Sequence, residues 1–310
     1  MRLARFWVPG QGPRLGVCEG ETVHTLVGPT TTDRPSQITP LDSIDALVEL
    51  AGPNGCLIDT VLRFRQAAPT SPSLVFSYRE LDRPPDPAVP HLLLPLVPSE
   101  VWAAGVTYER SREARLAETT TKGIYDKIYE AERPELFLKA TASRCVGPNA
   151  AIGIRADSRW TVPEPELGVA LDAAGAVLGY TLGNDMSARD IEGENPLYLP
   201  QTKIYRACCS LGPTLLLSDE PVERRLGLWC RIERKGRQVF RGDVSTSRMR
   251  RPISELVAYL RRANDIPPMT VLLTGTGIVP PDDFACEEGD VIEIGAEEIG
   301  VLRNPAVRVA

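Results

Sequence analysis

Short apolar runs broken by turn residues open the chain. RLARFWVP at 2–9 reads as a strand, and GVCEG with ETVHTLVG, at 16–28, reads as a hairpin beside it. In LDSIDALVELA, at 41–51, the apolar residues recur at helical spacing. Residues 1–70 therefore read as a small α+β domain. From Pro69 to Pro98 proline is dense, as in TSPS and DRPPDPAVPHLLLPLVP. A ring-locked backbone without an amide hydrogen sustains neither a helix nor an interior strand, so 71–98 reads as a linker. From 99 to 310 the pattern is mostly β, with two helical segments. SREARLAETTTKGIYDKIYEAE, at 111–132, is polar on most faces and suits a mobile cover. PISELVAYLRRAND, at 252–265, starts on proline and carries an apolar stripe that should lie against a sheet. The fold class is α+β, mostly β.

Composition changes this picture little. The 310 residues are 43% hydrophobic and 25% charged, an ordinary balance for a globular chain. A net charge of -6, with both signs interspersed, argues against nucleic acid, which is bound through clustered Lys and Arg. The first residues lack the apolar run of a secretory signal, and no window reaches the roughly 20 apolar residues of a membrane span. The expectation is a soluble, cytoplasmic protein with no membrane or nucleic-acid partner. Seven scattered cysteines without a C-x-x-C pair suggest neither a disulfide framework nor zinc. The adjacent Cys208 and Cys209 read as two small buried hydrophobes rather than a vicinal disulfide.

The candidate chemistry lies in TVPEPELGVALDAAGAVLGYTLGNDMSARD, residues 161–190. LGVAL and AVLGYTL are strand-like and joined by the turn residues DAAG. Alternation along a strand sends Glu164 and Glu166 to one face and the prolines beside them to the other. If Asp172 pairs with Gly175, Glu164 falls opposite Gly183 and Asp185 is its diagonal neighbour on the same face. Carboxylates held this close repel one another unless a cation intervenes, and an all-oxygen set favours magnesium, manganese or calcium over zinc. The competing reading is a solvated edge on which Asp185 holds a turn.

The same stretch resembles the fumarylacetoacetate hydrolase superfamily. The resemblance rests on GVTY at 105–108, FLK at 137–139, EPEL at 164–167, GNDMSARD at 183–190, Lys203 with SLGP at 210–213, and LLTGTG at 272–277 followed by GDVIEI. It implies a mixed β-roll catalytic domain, an ion held by Glu164, Glu166 and Asp185, and a homodimer or homotetramer. It also places Lys203 near ion and substrate, and Thr276 in a loop approaching the substrate carboxylate. Hydrolases of the family carry a His and a Glu where this chain has Ser111 and Ala114, so the water-activating pair is missing. His24 and His91, both outside the catalytic region, read as structural or exposed.

RDIEGENPLYLPQTKIY and GVTYERSREAR resemble a branch that dehydrates a 2-keto-3-deoxy pentonate to 2,5-dioxopentanoate. Dehydration of a small 2-oxo acid needs metal, base and acid but no activated water, which agrees with the missing pair. Lys203 and Glu118 are the expected catalytic residues, with Glu109 and Glu113 as other carboxylates near the cover. Ser111, Arg112, Arg189, Glu192, Gln201 and Thr276 are the expected substrate contacts, one arginine of the 110–115 stretch serving as a carboxylate clamp. Arg189 has a second reading as a structural ion pair with Asp185 or Asp190. The alternative activities are C–C bond hydrolysis of acylpyruvates and simple calcium binding without turnover.

Overall fold

The structure is a computed structural model that describes residues 1–29, 38–53, 55–67, 75–109, 130–222 and 225–310. Ser111, Arg112, Glu113 and Glu118, and most of the polar segment read as a cover, lie outside the described residues.

The chain is mostly β. One large sheet runs in the order Val75–Ser77, Thr22–Thr25, Gly12–Glu19, Arg2–Val8, Cys209–Leu216, Val177–Asp185, Pro165–Leu171, Thr270–Leu273, Glu100–Gly105, Glu135–Thr141. Cys145–Val146 also pairs with Cys209–Leu216, and His91–Leu92 with Arg2–Val8. A second sheet of five strands runs Ile152–Arg155, Gly300–Val309, Val291–Ala296, Gly227–Arg234, Arg237–Ser245. Leu167, Leu182 and Leu211 of the large sheet share one buried core with Ile292, Ile294 and Leu302 of the small one. The strands Pro165–Leu171, Cys209–Leu216 and Thr270–Leu273 are buried at every position, so the middle of the large sheet is covered on both faces.

The N-terminal strands are not a sheet of their own. Arg2 and Leu3 pair with Leu216 and Leu215, so the hairpin of residues 2–19 extends the large sheet. Among the described residues of 71–98 the chain forms short pieces: the edge strand Val75–Ser77, the single helical turn Tyr78–Leu81 and the two-residue strand His91–Leu92.

Two helices follow their sequence patterns. Ile44–Ala51 starts at Ser43, whose side chain accepts from the Ala46 N–H, and it buries Ile44 and Leu47. Ile253–Leu260 buries Ile253, Leu256, Val257 and Leu260, a complete i, i+3, i+4, i+7 stripe, within the main core.

The register of the acidic hairpin corrects the sequence expectation. Asp172 donates to the Ala176 carbonyl, which adds one residue to the turn, and a bulge at Ala170/Leu171 adds another. Glu166, not Glu164, is therefore opposite Gly183, and Glu164 exchanges backbone hydrogen bonds with Asp185. A one-residue slip would have turned Asp185 to the wrong face, but a slip of two restores it.

Candidate metal centre

The hairpin brings Glu164, Glu166 and Asp185 together, buried, with one carboxylate oxygen of each within 4.8 Å of the others. Burial first, then repulsion from Asp185 and Glu164, pushes the Glu166 carboxyl well above the ordinary 4.5; Lys203 and the Gly275 N–H oppose this. Such a set is short of positive charge at Glu166 and offers only oxygen donors, which fits a hard divalent cation.

Three cations line the rest of the cluster. Lys203, buried at the end of the short helix Leu199–Lys203, donates from Nζ to Glu164 Oε2 at 2.7 Å, Asp185 Oδ2 at 3.0 Å and Ser187 Oγ at 2.6 Å. Arg189 donates to Glu164 Oε1 at 3.0 Å. Asp190 accepts instead from Ser158 Oγ and the Arg159 N–H, while the guanidinium of Arg189 donates to Glu164 of the acidic triad. Lys139, with no exposed surface, lies 2.7 Å from Asp185 Oδ1 and donates to the carbonyls of Met186 and Lys203. Burial lowers the pKa of its ammonium, but Asp185 and the nearby thiols and Tyr205 outweigh burial, and the net direction is upward.

The loop after Thr270–Leu273 closes the other side. The Gly275 N–H donates to Glu166 Oε2 at 2.6 Å. Gly275 has φ +89, and a Cβ there would sit 2.0 Å from Thr107 Oγ1 and 2.9 Å from the Ala104 carbonyl, so only glycine fits.

Beside the carboxylates is a cavity whose wall includes Gly105, Glu135, Phe137, Glu192, Lys203 and Thr276. Lys203, Glu192 and Thr276 thus come together with the three acids, and Arg189 joins through Glu164. Gln201 does not: it is exposed, and Arg155 holds its backbone carbonyl at 2.7 Å. His24 pairs with Glu19 and His91 with the Val89 carbonyl, both away from the cavity. The sequence reading missed Glu135, Gly275 and the role of Lys139. A signal existed for Glu135, which alternates with Phe137 along the strand Glu135–Thr141 and so shares its face, whereas Lys139 falls where the register shifts. Glu135 is folded over Gly105, where a Cβ would lie 2.1 Å from its Oε2.

A buried triad of carboxylates on a β-hairpin, with Lys203 and a glycine loop closing it, is found here in a chain whose residues 100–307 match the family model for the fumarylacetoacetate (FAA) hydrolase C-terminal region. The chain belongs to that family. It is 50% identical over 216 residues, 68% of this chain and 72% of the relative, to "2-dehydro-3-deoxy-D-arabinonate dehydratase" of Saccharolobus solfataricus. It is 47% identical over 220 residues, 71% of this chain and 76% of the relative, to "Probable 2-keto-3-deoxyxylonate dehydratase" of Haloferax volcanii. Among solved structures it resembles 2-keto-3-deoxy-D-arabinonate dehydratase complexed with magnesium and 2,5-dioxopentanoate, with a TM-score of 0.77, 37% identity, and coverage of 100% of this chain and 99% of that one. Among the described residues no helix is long and apolar enough to cross a membrane.

Proposed function

We propose that this chain is a magnesium-dependent dehydratase that converts a 2-keto-3-deoxy pentonate to 2,5-dioxopentanoate and water. The observation that carries the reading is the buried triad of Glu164, Glu166 and Asp185, beside a cavity with further carboxylates and Lys203. The named dehydratases among its relatives support the substrate class. Once C2 is a ketone and C3 a methylene, a pentonate keeps one stereocentre, C4, so the arabinonate and xylonate names describe one constitution.

Glu164, Glu166 and Asp185 would hold the ion, with manganese or calcium as substitutes. Such an ion supplies Lewis acidity to a 2-oxo acid bound through its carboxylate and keto oxygens, which makes the C3–H more acidic. The chain's own groups do the rest. A base takes a C3 proton and the C4 hydroxyl leaves as water after gaining a proton; a proton then moves from C5 to C3, and the resulting enol gives up its O–H proton and gains one at C4 to become the terminal aldehyde. Lys203 has three acceptors around its Nζ, which favours the ammonium form, a proton donor and counter-charge rather than a base. Its partner in acid–base work is Glu118 by the sequence reading. The cavity adds Glu135, whose carboxylate is on the wall but outside the triad and suits removal of the C3 proton. Glu192 and Thr276 suit hydrogen bonds to substrate oxygens, and Arg189, Ser111 and Arg112 complete the proposed contacts, while Gln201, exposed and away from the cavity, is left out of them.

The test is to incubate the protein with magnesium and synthetic 2-keto-3-deoxy pentonate while an aldehyde dehydrogenase reports the product. Signal with metal, none after chelation, and its loss in Glu164→Gln are expected. Full activity of Glu164→Gln, or turnover only of acylpyruvates with pyruvate release, would sink the reading. A cytoplasmic homodimer or homotetramer belongs to the same proposal and is checked by light scattering. So does the division into 1–70, 71–98 and 99–310, which the start of the family match at residue 100 supports.

A further inference from the structure

One row of the large sheet carries two kinds of chemistry. Cys145 lies opposite Cys209 in a parallel pair, Cys209 lies opposite Asp185 in an antiparallel one, and Asp185 exchanges backbone hydrogen bonds with Glu164. Residues directly opposite on neighbouring strands present their side chains on the same face. Two thiols and two acidic residues of the metal centre therefore stand side by side across four strands.

The Cys209 thiol donates to the Ser210 carbonyl at 3.9 Å, and the Cys145 thiol across the pair, together with burial, pushes its pKa well up. Cys208, although adjacent in sequence, directs its thiol to the Lys139 carbonyl at 3.7 Å. Cys209 is fully buried, whereas Cys145, packed at the edge of the core, is only partly buried. Neither thiol has a part in the dehydration chemistry.

We propose that Cys145 and Cys209 are an oxidisable dithiol site, closed to a disulfide by hydroperoxides, and that closure distorts the metal centre through Asp185. In the first step the Cys145 sulfur attacks the O–O bond, giving a sulfenic acid and releasing the alcohol, or water when the oxidant is hydrogen peroxide. In the second step the Cys209 sulfur attacks the sulfenic sulfur, forming the S–S bond and releasing one water. The two thiols lose two electrons and the hydroperoxide gains them.

The geometry permits the bond and gives it a consequence. Neighbouring strands run about 4.8 Å apart, inside the roughly 4.4–6.8 Å span between Cα atoms that a disulfide bridges. Closing it ties the two strands together at that position. Cys209 is backbone-paired with Asp185, so the pull is transmitted to a metal ligand, where a shift on the order of 1 Å costs roughly 10²-fold in function.

The experiment treats the full chain with hydrogen peroxide, alkylates the remaining thiols, maps linked peptides by mass spectrometry and titrates magnesium by calorimetry. Neither readout depends on the identity of the substrate. The expected result is a Cys145–Cys209 linked peptide and a magnesium affinity lowered by roughly tenfold or more. Dithiothreitol restores that affinity, and Cys145→Ser, which binds magnesium like the parent, resists the oxidant. A Cys208–Cys209 peptide, oxidation confined to the exposed Cys56, or a linked peptide with unchanged affinity would overturn the proposal. A parent that binds no magnesium would instead sink the metal reading, and the linked peptide alone would then decide the dithiol site.

Discussion

The molecule buries carboxylates in two places and treats them in opposite ways. In the five-stranded sheet Glu293 accepts from Arg231 and Arg303, and Asp290 takes a two-pronged bond from Arg234 at 2.8 Å on each oxygen. Each acid there is matched by guanidinium groups, and the result ties strands together. In the hairpin of the large sheet Glu166, 1% exposed, accepts one hydrogen bond among the described residues, from the Gly275 N–H. Burial and two neighbouring acids push its carboxyl up. A charge neutralised by the fold is structural, whereas one left short of a partner in a buried cavity waits for a ligand.

The sharpest way to break this contrast is to neutralise one acid of each kind. Glu166→Gln is expected to cost on the order of 10³-fold in turnover while raising the melting temperature of the chelated protein, because it removes repulsion. Glu293→Gln should do the reverse, costing about 2 kcal/mol of stability with turnover at saturating magnesium unchanged. The coupled aldehyde assay and thermal melts with chelator measure both. If the two variants exchange phenotypes, the division between structural and ligand-seeking acids is wrong.

A second substitution separates binding from chemistry within the cavity. Glu135 is on the wall but not in the triad, so Glu135→Gln is expected to lower kcat by about 10²- to 10⁴-fold with magnesium affinity unchanged. Parallel losses in both would make Glu135 part of the ion's surroundings instead. Gly275→Ala acts more weakly, on the backbone. Its Cβ meets Thr107 Oγ1 at 2.0 Å and its φ is +89, so about 1–2 kcal/mol of stability is expected to go, together with the N–H aimed at Glu166. Weaker magnesium binding by calorimetry, beyond the change in melting temperature, is the mark of that lost donor.

How much of this was legible beforehand follows from the range of the forces involved. Glu164, Glu166 and Asp185 were legible because strand alternation is local and a two-stranded hairpin needs only its turn. The register was misread because neither a turn closed at Ala176 instead of Gly175 nor a bulge at Ala170/Leu171 leaves a mark in the pattern of apolar residues. The stripe of Ile253, Leu256, Val257 and Leu260 was legible for the same reason as the hairpin. That Arg2–Val8 would pair with Cys209–Leu216 was not, since more than 200 residues separate them and nothing in either strand names its neighbour. Lys139 was hidden likewise: a lysine between Leu138 and Ala140 is assigned to the site only once Asp185 is folded against it.

The smallest expected effect is a dependence on pH, and it tests the contrast without changing the site. The folded-state pKa of Glu166 is raised above the ordinary 4.5, so between that value and the raised one the folded chain holds a proton that the unfolded chain has lost. Its contribution to the stability of the chelated protein is therefore complete below pH 4.5 and disappears as pH rises through the folded value. Magnesium needs the carboxylate, so its stabilisation runs the other way, weakest in acid and growing over the same interval. Melting curves from pH 5 to 8, with chelator and with magnesium, should diverge as pH rises. In Glu166→Gln the decline of the chelated protein should be shallower than in the parent. Glu293→Gln should start from a lower melting temperature, because it breaks the bonds to Arg231 and Arg303. Identical slopes in the parent and Glu166→Gln would show that the proton belongs to another group, and that Glu166 is not short of positive charge.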